Sequence, residues 1–438
     1  AVATNGLHQG VNNLLVAQLG PAWGSSASIL YYGGMSALAT VEICGAVEAL
    51  DLLVSRSLGD PYLTLSVYTD FGVIGTAGLF VIALVRAFMP RMVHSIGQVV
   101  LAAFALTLLT TVVGALRSFR PEHIVSNFLP TRRLGYAELR LLATFTYPCF
   151  AGIFQPVNKS AELQTPHETI PRAMIRAVLT SAASLALVVL AVAGSAPADR
   201  LDEDAFILDA WPSEYVGLVG TIVVGIGSCV SCIDVAPTIL QSIASDHRMT
   251  LLRWIGLHRS DGDNAQPLRA VGVTFVLAAP FAWMTLDKVA LYASLLFLQM
   301  YATMDVCCAV LHWLHSPGWR PKFPPRTWPL ATVATAAAVG CVATVYALGV
   351  PVWLLLVLCG GPAVFFTWLS GSGDLSGSTA GSISKATGSN AFRGLLHSLA
   401  LQALQQLEEG VQLAEPTPAL RSIGGGAVTE PTPDSKRS

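Results

Sequence analysis

The sequence predicts an all-α membrane protein that crosses the bilayer many times. Of its 438 residues, 53% are hydrophobic and only 12% are charged, against about 25% charged residues in a typical soluble chain. Apolar runs of about 20 residues, the length that spans a bilayer as a helix, recur through most of the chain. The formal net charge of −2 and the lack of a basic stripe in the sequence argue against nucleic-acid binding.

Ten apolar runs are predicted to be membrane spans, and loops marked by glycine, proline or charge separate several of them. Residues 1–21 indicate the end of an earlier span followed by a re-entrant or interfacial connection, and residues 1–370 form the predicted membrane core. The predicted spans are 22–55, 68–88, 93–116, 138–160, 171–196, 214–243, 267–285, 287–314, 327–348 and 350–369. The eight cysteines all fall inside spans, which favours packing over disulfides.

The character of the chain changes after residue 370. Residues 371–390 are rich in glycine, serine and threonine and predict a flexible linker. Residues 391–409 place apolar side chains at helical spacing and predict an amphipathic scaffold helix, whereas residues 410–438 lack periodicity and predict a disordered tail. Lysine and arginine are enriched in the loops after residues 88, 160, 243 and 314, so we expect these loops and the C-terminus in the cytoplasm.

The fourth predicted span is interrupted. Pro148, Gly152 and Pro156 fall within nine residues of each other. Proline removes a backbone donor and disturbs the preceding turn, while glycine relaxes the backbone. Such a break persists in a membrane only where the freed groups are buried in protein or line a polar cavity. These residues alone leave two interpretations open: a kinked packing helix, or a discontinuous helix of the kind at which transporters bind substrates.

Several ionisable side chains lie in predicted spans, where each is costly and therefore a candidate for function. Glu42 has no basic neighbour in its own helix, so it is either a protonated, hydrogen-bonded acid or a functional carboxylate. Asp234 precedes Ala-Pro and either caps the helix that continues after Pro237 or has a functional role. Asp305 shares a polar helix face with Tyr301, which suggests the lining of a pore or site.

A series of short motifs runs along most of the chain. They are Ala3-Thr-Asn-Gly6, Leu19-Gly-Pro-Ala-Trp-Gly24, Gly45-Ala-Val-Glu48, Pro148 through Leu163 with Ile170-Pro171, Ala236-Pro-Thr-Ile-Leu-Gln241, Gln266-Pro-Leu-Arg269, Tyr301, Ser316-Pro-Gly-Trp-Arg-Pro321 and Leu407-Glu-Glu-Gly410. In this order and spacing the chain resembles the electroneutral cation–chloride cotransporters, which belong to the amino acid–polyamine–organocation superfamily. Each motif is weak alone, and the resemblance rests on the whole series.

The resemblance implies an inverted-repeat transporter fold of twelve helices, of which about ten spans are present, with two discontinuous helices meeting at mid-membrane. It places chloride on the backbone amides of Gly152, Ile153 and Phe154. It adds the hydroxyl of Tyr301 as a donor to the same chloride. An anion at these amides agrees with the attraction between anions and helix N-termini.

The cation side departs from the family pattern. The resemblance assigns the carbonyl of Pro148 to potassium, but Glu42 stands where the family has a tyrosine and Ala151 where it has a threonine. A buried carboxylate can bind the cation more tightly, change its identity or transfer a proton. Gly227 and Ser228 occupy the sodium-site position, and one hydroxyl instead of two favours potassium–chloride transport over sodium dependence.

The family's first helix, most of its second helix and its large C-terminal domain have no counterpart in this sequence. We interpret the missing helices as a truncated gene model, and we expect the chain alone not to catalyse normal coupled transport. The family also implies a homodimer in the plasma membrane, with the lipid bilayer, chloride and monovalent cations as partners.

Three functions remain open on the sequence. The first is symport of chloride with potassium by alternating access. The second is transport of amino acids or polyamines by a member of the same superfamily, in which Glu42 would meet an amine. The third is a membrane subunit that kept the fold without transporting. No phosphate loop, metal motif or nucleophile–base pair is visible, so we predict neither an enzyme nor a bound cofactor.

Overall fold

The part of the chain that the structure describes is helical and contains no strand. This computed structural model describes residues 10–58, 67–128, 135, 138, 142, 146–160, 163–197, 210–245, 253–256, 268–313, 330–347 and 361. All of these belong to one structural unit, and they confirm the predicted all-α fold class. The predicted linker, amphipathic helix and tail lie outside the described residues, as does the span at 350–369 apart from residue 361.

The helices follow one another along the chain with short interruptions. They are α1 (Gly10–Leu58), α2 (Val67–Phe88), α3 (Pro90–Arg117), α4 (Pro121–Phe128), α5 (Gln155–Asn158), α6 (Pro166–Ser195), α7 (Glu214–Ser245), α8 (Arg253–Gly256), α9 (Leu268–Ala278), α10 (Leu286–Trp313) and α11 (Leu330–Ala347), with 3₁₀ turns at Tyr147–Phe150 and Ala279–Trp283.

Five of the described helices are long and apolar enough to cross a membrane. They are α2, α3, α6, α7 and α10, and each matches one predicted span to within a few residues. The span predicted at 267–285 is instead a shorter helix, α9, followed by a 3₁₀ turn. Pro280 explains the change, because proline cannot donate to the preceding turn and disfavours helical geometry in the residue before it.

The longest helix, α1, does not run straight. Its 49 residues would extend about 73 Å in a straight helix at about 1.5 Å per residue. A Cβ placed on Gly24 would lie 2.5 Å from the Cα of Val16, whereas a straight helix separates residues eight apart by about 12 Å. The helix therefore bends sharply between these two residues, close to the end of the connection predicted for residues 1–21.

The core forms where α1 packs against α7 and α10. Tyr31 and Phe297 are its largest fully buried side chains. Gly225 allows α7 to approach α1 closely, since a Cβ there would lie 2.9 Å from the carbonyl oxygen of Glu42 and 3.0 Å from the Cβ of Ala46. Small residues commonly permit such close helix contacts in membrane proteins. The contact holds the Glu42 stretch of α1 against α7.

The outer helices expose large apolar side chains. Leu101 and Leu109 on α3 are 68% and 60% exposed, and Leu179 on α6 is 64% exposed. Exposed apolar surface of this extent is costly in water and favourable against lipid. Together with the five membrane-length helices, it describes an integral, multi-pass membrane protein.

Candidate functional site

The fourth predicted span is discontinuous. A 3₁₀ turn at Tyr147–Phe150 ends in extended backbone at Ala151 (φ −69°, ψ 161°). Gly152 follows with φ +82°, a left-handed conformation that glycine adopts readily and other residues rarely do. The helix resumes only as α5, one turn long. Between the two interpretations left open by the sequence, the structure favours the discontinuous helix over a simple kink.

The break leaves backbone donors without acceptors. The carbonyls of Gly152 and Phe154 accept hydrogen bonds from the N–H groups of Gln155 (2.9 Å) and Val157 (3.0 Å). In the described part of the chain, no acceptor is found for the N–H groups of Gly152, Ile153 and Phe154. Because α5 is a single turn, its dipole contributes little, and the support expected from a helix N-terminus is weaker than predicted. The amides themselves are the relevant feature.

Tyr301 of α10 completes this group of donors. Its hydroxyl faces the backbone N–H groups of Gly152 and Ile153, is buried, and makes no direct hydrogen bond within the described residues. Its ring stacks on Phe154 (5.5 Å between centroids, 29° between planes) and on Phe297 (6.0 Å, 26°). We call the three amides and this hydroxyl the donor cluster. Hydrogen-bond donors that converge without an acceptor suit an anion.

Two further tyrosines lie near the donor cluster, and sequence reasoning missed both. The ring of Tyr147 lies 6.5 Å from that of Tyr301, and the fully buried Tyr31 lies beside Asn158. Neither hydroxyl has a hydrogen-bond partner among the described residues. The available signal was a tyrosine inside an otherwise apolar span, because a buried hydroxyl needs a partner.

On the predicted cation side, the structure brings Glu42 of α1 to Ser228 of α7, whose hydroxyl faces the carboxyl group. Glu42 also lies within electrostatic reach of Cys149 in the 3₁₀ turn. Gly227 does not join them, because its Cα packs against the side chain of Val100 on α3. A carboxylate with a neighbouring hydroxyl is an oxygen pair that suits a cation.

The other two predicted cation residues contribute backbone and space. The carbonyl of Pro148 accepts a hydrogen bond from the N–H of Ala151 at 3.1 Å, so one of its two lone pairs remains for a cation. Ala151 lines a cavity of about 460 Å³ that runs along the break. The cavity is lined by Cys149, Phe150, Ala151, Gly152, Ile153, Gln155, Pro156, Lys159, Met174, Ala177, Val178, Ser181, Ser231, Asp234 and Val235.

Asp234 does not cap a helix. Helix α7 continues from Glu214 to Ser245 through Pro237 without a break. The Asp234 carboxylate instead pairs with Arg86 (Nε to Oδ1, 2.7 Å) and Lys159 (Nζ to Oδ2, 3.0 Å). The capping interpretation is therefore wrong, because no new helix starts at this residue.

Asp305 lies apart from the cavity lining. It is half-buried on α10, within electrostatic reach of Tyr147 and Cys341. Within the described residues, no group of three or more histidine, cysteine, aspartate and glutamate side chains is placed to hold a metal ion. The seven described cysteines are free thiols, in line with the packing role predicted for them.

Comparison with known proteins decides the family. Residues 2–376 match the family model described as amino acid permease. The chain belongs to the amino acid permease family. This family consists of transporters, which agrees with the prediction that the protein is not an enzyme.

Relatives of this permease are named cation–chloride cotransporters, which confirms the resemblance found in the sequence. The protein is 26% identical over 279 residues to potassium/chloride cotransporter 3 of Caenorhabditis elegans, covering 61% of this chain and 24% of the relative. It is 24% identical over 387 residues to cation-chloride cotransporter 1 of Oryza sativa subsp. japonica, covering 77% and 39%. It is 22% identical over 386 residues to cation-chloride cotransporter 1 of Arabidopsis thaliana, again covering 77% and 39%. The matched region spans well under half of each relative.

Proposed function

We propose that this permease is a secondary active transporter that moves chloride together with a monovalent cation, potassium being favoured, by alternating access. The donor cluster is the observation on which the proposal rests. Backbone N–H groups of Gly152 and Ile153 and the hydroxyl of Tyr301 converge in a buried position with no described acceptor. The names of the relatives, which specify cation–chloride cotransport, support the same substrates.

Coupling follows from the short distance along the chain between the two halves of the site. Pro148 and Cys149, beside Glu42, precede the donor cluster by only a few residues of the same broken segment. An anion and a cation bound together present little net charge to the low-dielectric interior, where a single ion is strongly disfavoured. The segment would then move against α1, α7 and α10 with both ions bound.

A second candidate is transport of an amino acid or polyamine. The observation in its favour is the carboxylate of Glu42, which an amine would pair with as well as a metal cation does. Competition settles the choice: unlabelled amino acids or polyamines would inhibit labelled uptake under this hypothesis and leave chloride-coupled uptake unchanged under the first.

The remaining features belong to the same proposal. We infer a plasma-membrane location with a cytoplasmic C-terminus from the distribution of lysine and arginine. A homodimer and transport without a bound cofactor follow from the family resemblance.

The Tyr301→Phe variant tests the proposal. It removes one hydroxyl donor and keeps the ring stacked on Phe154 and Phe297. A hydrogen bond to an ion contributes about 1.5–3 kcal/mol, so the chloride concentration for half-maximal flux is expected to rise about 10- to 100-fold. Uptake of radioactive rubidium, a potassium tracer, is measured against external chloride.

Tyr292→Phe is the matched control, because Tyr292 lies on the same helix and is 40% exposed. Its chloride dependence should equal that of the wild type. Wild-type flux that is indifferent to chloride contradicts the proposed function. Unchanged chloride dependence in Tyr301→Phe contradicts the role of the donor cluster.

A further inference from the structure

Three charged side chains from separate parts of the chain meet beside the cavity. Asp234 of α7 accepts Arg86, at the end of α2, through one carboxylate oxygen and Lys159, just after α5, through the other. The Arg86 and Asp234 side chains are 10% and 17% exposed, whereas that of Lys159 is 41% exposed. We call these three residues the charge cluster. Sequence reasoning did not predict it.

The charge cluster holds two cations for one carboxylate. Arg86 and Asp234 form the more deeply buried pair at 2.7 Å, and that pair is neutral without Lys159. Removing either member would leave a buried charge uncompensated, which is strongly unfavourable. Lys159 can leave Asp234 without creating such a charge, provided that another anion takes the place of the carboxylate.

The cavity connects the charge cluster to the donor cluster. Lys159 and Asp234 line the same cavity as Gly152 and Ile153. An anion that leaves the donor cluster along this cavity therefore meets the ammonium group of Lys159. A flexible ammonium suits this role, because it acts as a point charge with rotatable donors rather than as a rigid fork.

We propose that Lys159 is a second binding position for the transported anion, at which a small inorganic anion replaces Asp234 as the partner of the ammonium group. Asp234 stays neutralised by Arg86 throughout, so the exchange leaves no buried charge unpaired. This inference rests on the proposed function, since it extends the path of the same anion. It assigns Asp234 as a competitor of the anion and Arg86 as its fixed counter-ion.

A different role for the same contacts is a latch, in which the Lys159–Asp234 pair simply holds the broken segment to α7. The two roles predict different signs. A latch is released whichever partner is removed, so both substitutions change transport in the same direction. An anion position is lost with Lys159 but relieved of its competitor with Asp234, so the two substitutions act in opposite directions.

The experiment compares Lys159→Gln and Asp234→Asn by the chloride concentration for half-maximal flux. Lys159→Gln is expected to raise it roughly tenfold, because an ionic hydrogen bond to the anion is lost. Asp234→Asn is expected to lower it by a few-fold. Lys159→Arg, which keeps the charge, should stay close to the wild type. Each flux is divided by the amount of the variant at the membrane.

Folding is controlled by a second variant. Should Asp234→Asn fail to reach the membrane because Arg86 loses its counter-ion, the double variant Arg86→Gln with Asp234→Asn removes both buried charges and carries the same expectation. Shifts of equal sign, or no shift in Lys159→Gln, overturn the second anion position while wild-type chloride dependence upholds the proposed function. A wild type without chloride dependence overturns both.

Discussion

Replacing Gly152 with alanine is expected to remove most chloride-dependent flux while the protein still folds. Gly152 has φ +82°, where an L-residue costs about 1–2 kcal/mol. A Cβ there would also lie 3.3 Å from Nε2 of Gln155. The backbone relieves this strain by leaving the left-handed region, which turns the amides of Gly152 and Ile153 away from the hydroxyl of Tyr301.

Two amide donors are misdirected by that change, so the loss should exceed that of Tyr301→Phe. With each donor to an ion contributing about 1.5–3 kcal/mol, we expect at least about a 100-fold increase in the chloride concentration for half-maximal flux. Gly272→Ala is the control, because a Cβ at Gly272 of α9 meets nothing within 4 Å. Wild-type chloride affinity in Gly152→Ala would show that the amides do not bind the anion.

Replacing Glu42 with glutamine is expected to weaken the cation dependence of flux most. The substitution keeps the size of the side chain and its contact with Ser228, but it removes the negative charge. Truncating one partner of a buried charge pair costs about 2–5 kcal/mol, so the cation concentration for half-maximal flux should rise at least about 30-fold. Chloride affinity at saturating cation should change much less, since the donor cluster is untouched.

The control for this prediction is Glu48→Gln, because Glu48 lies on the same helix and is exposed. Uptake is measured for both variants against external potassium at fixed chloride. If Glu42→Gln retains the cation dependence of the wild type, Glu42 is not a cation ligand. If it loses chloride dependence to the same extent as cation dependence, the two halves of the site do not act separately.

Much of the fold could be predicted because it depends on local pattern. The membrane-length helices follow from runs of apolar residues, and the break follows from two prolines and a glycine close together in sequence. The bend of α1 was predicted only as a connection, because its sharpness depends on Gly24 meeting Val16 in space. The 3₁₀ turn after α9 was missed, although Pro280 was there to indicate it.

The site was harder to predict because its residues come from distant parts of the chain. Sequence alone read Asp234 as an N-cap, since nothing near it reveals the partners Arg86 and Lys159. Likewise, the meeting of Glu42 and Ser228 depends on the close packing of α1 on α7. Pairings of this kind are set by tertiary contacts rather than by local propensity.

The central claim is that the amides of the broken segment and the hydroxyl of Tyr301 bind one anion together. Diffraction from crystals of the protein grown with bromide in place of chloride tests it most directly, because bromide is located by its anomalous scattering. We predict an anomalous peak within hydrogen-bonding distance of the Tyr301 hydroxyl and of the backbone nitrogens of Gly152 and Ile153. An ordered Tyr301 and broken segment without a peak between them, at saturating bromide, would contradict the account.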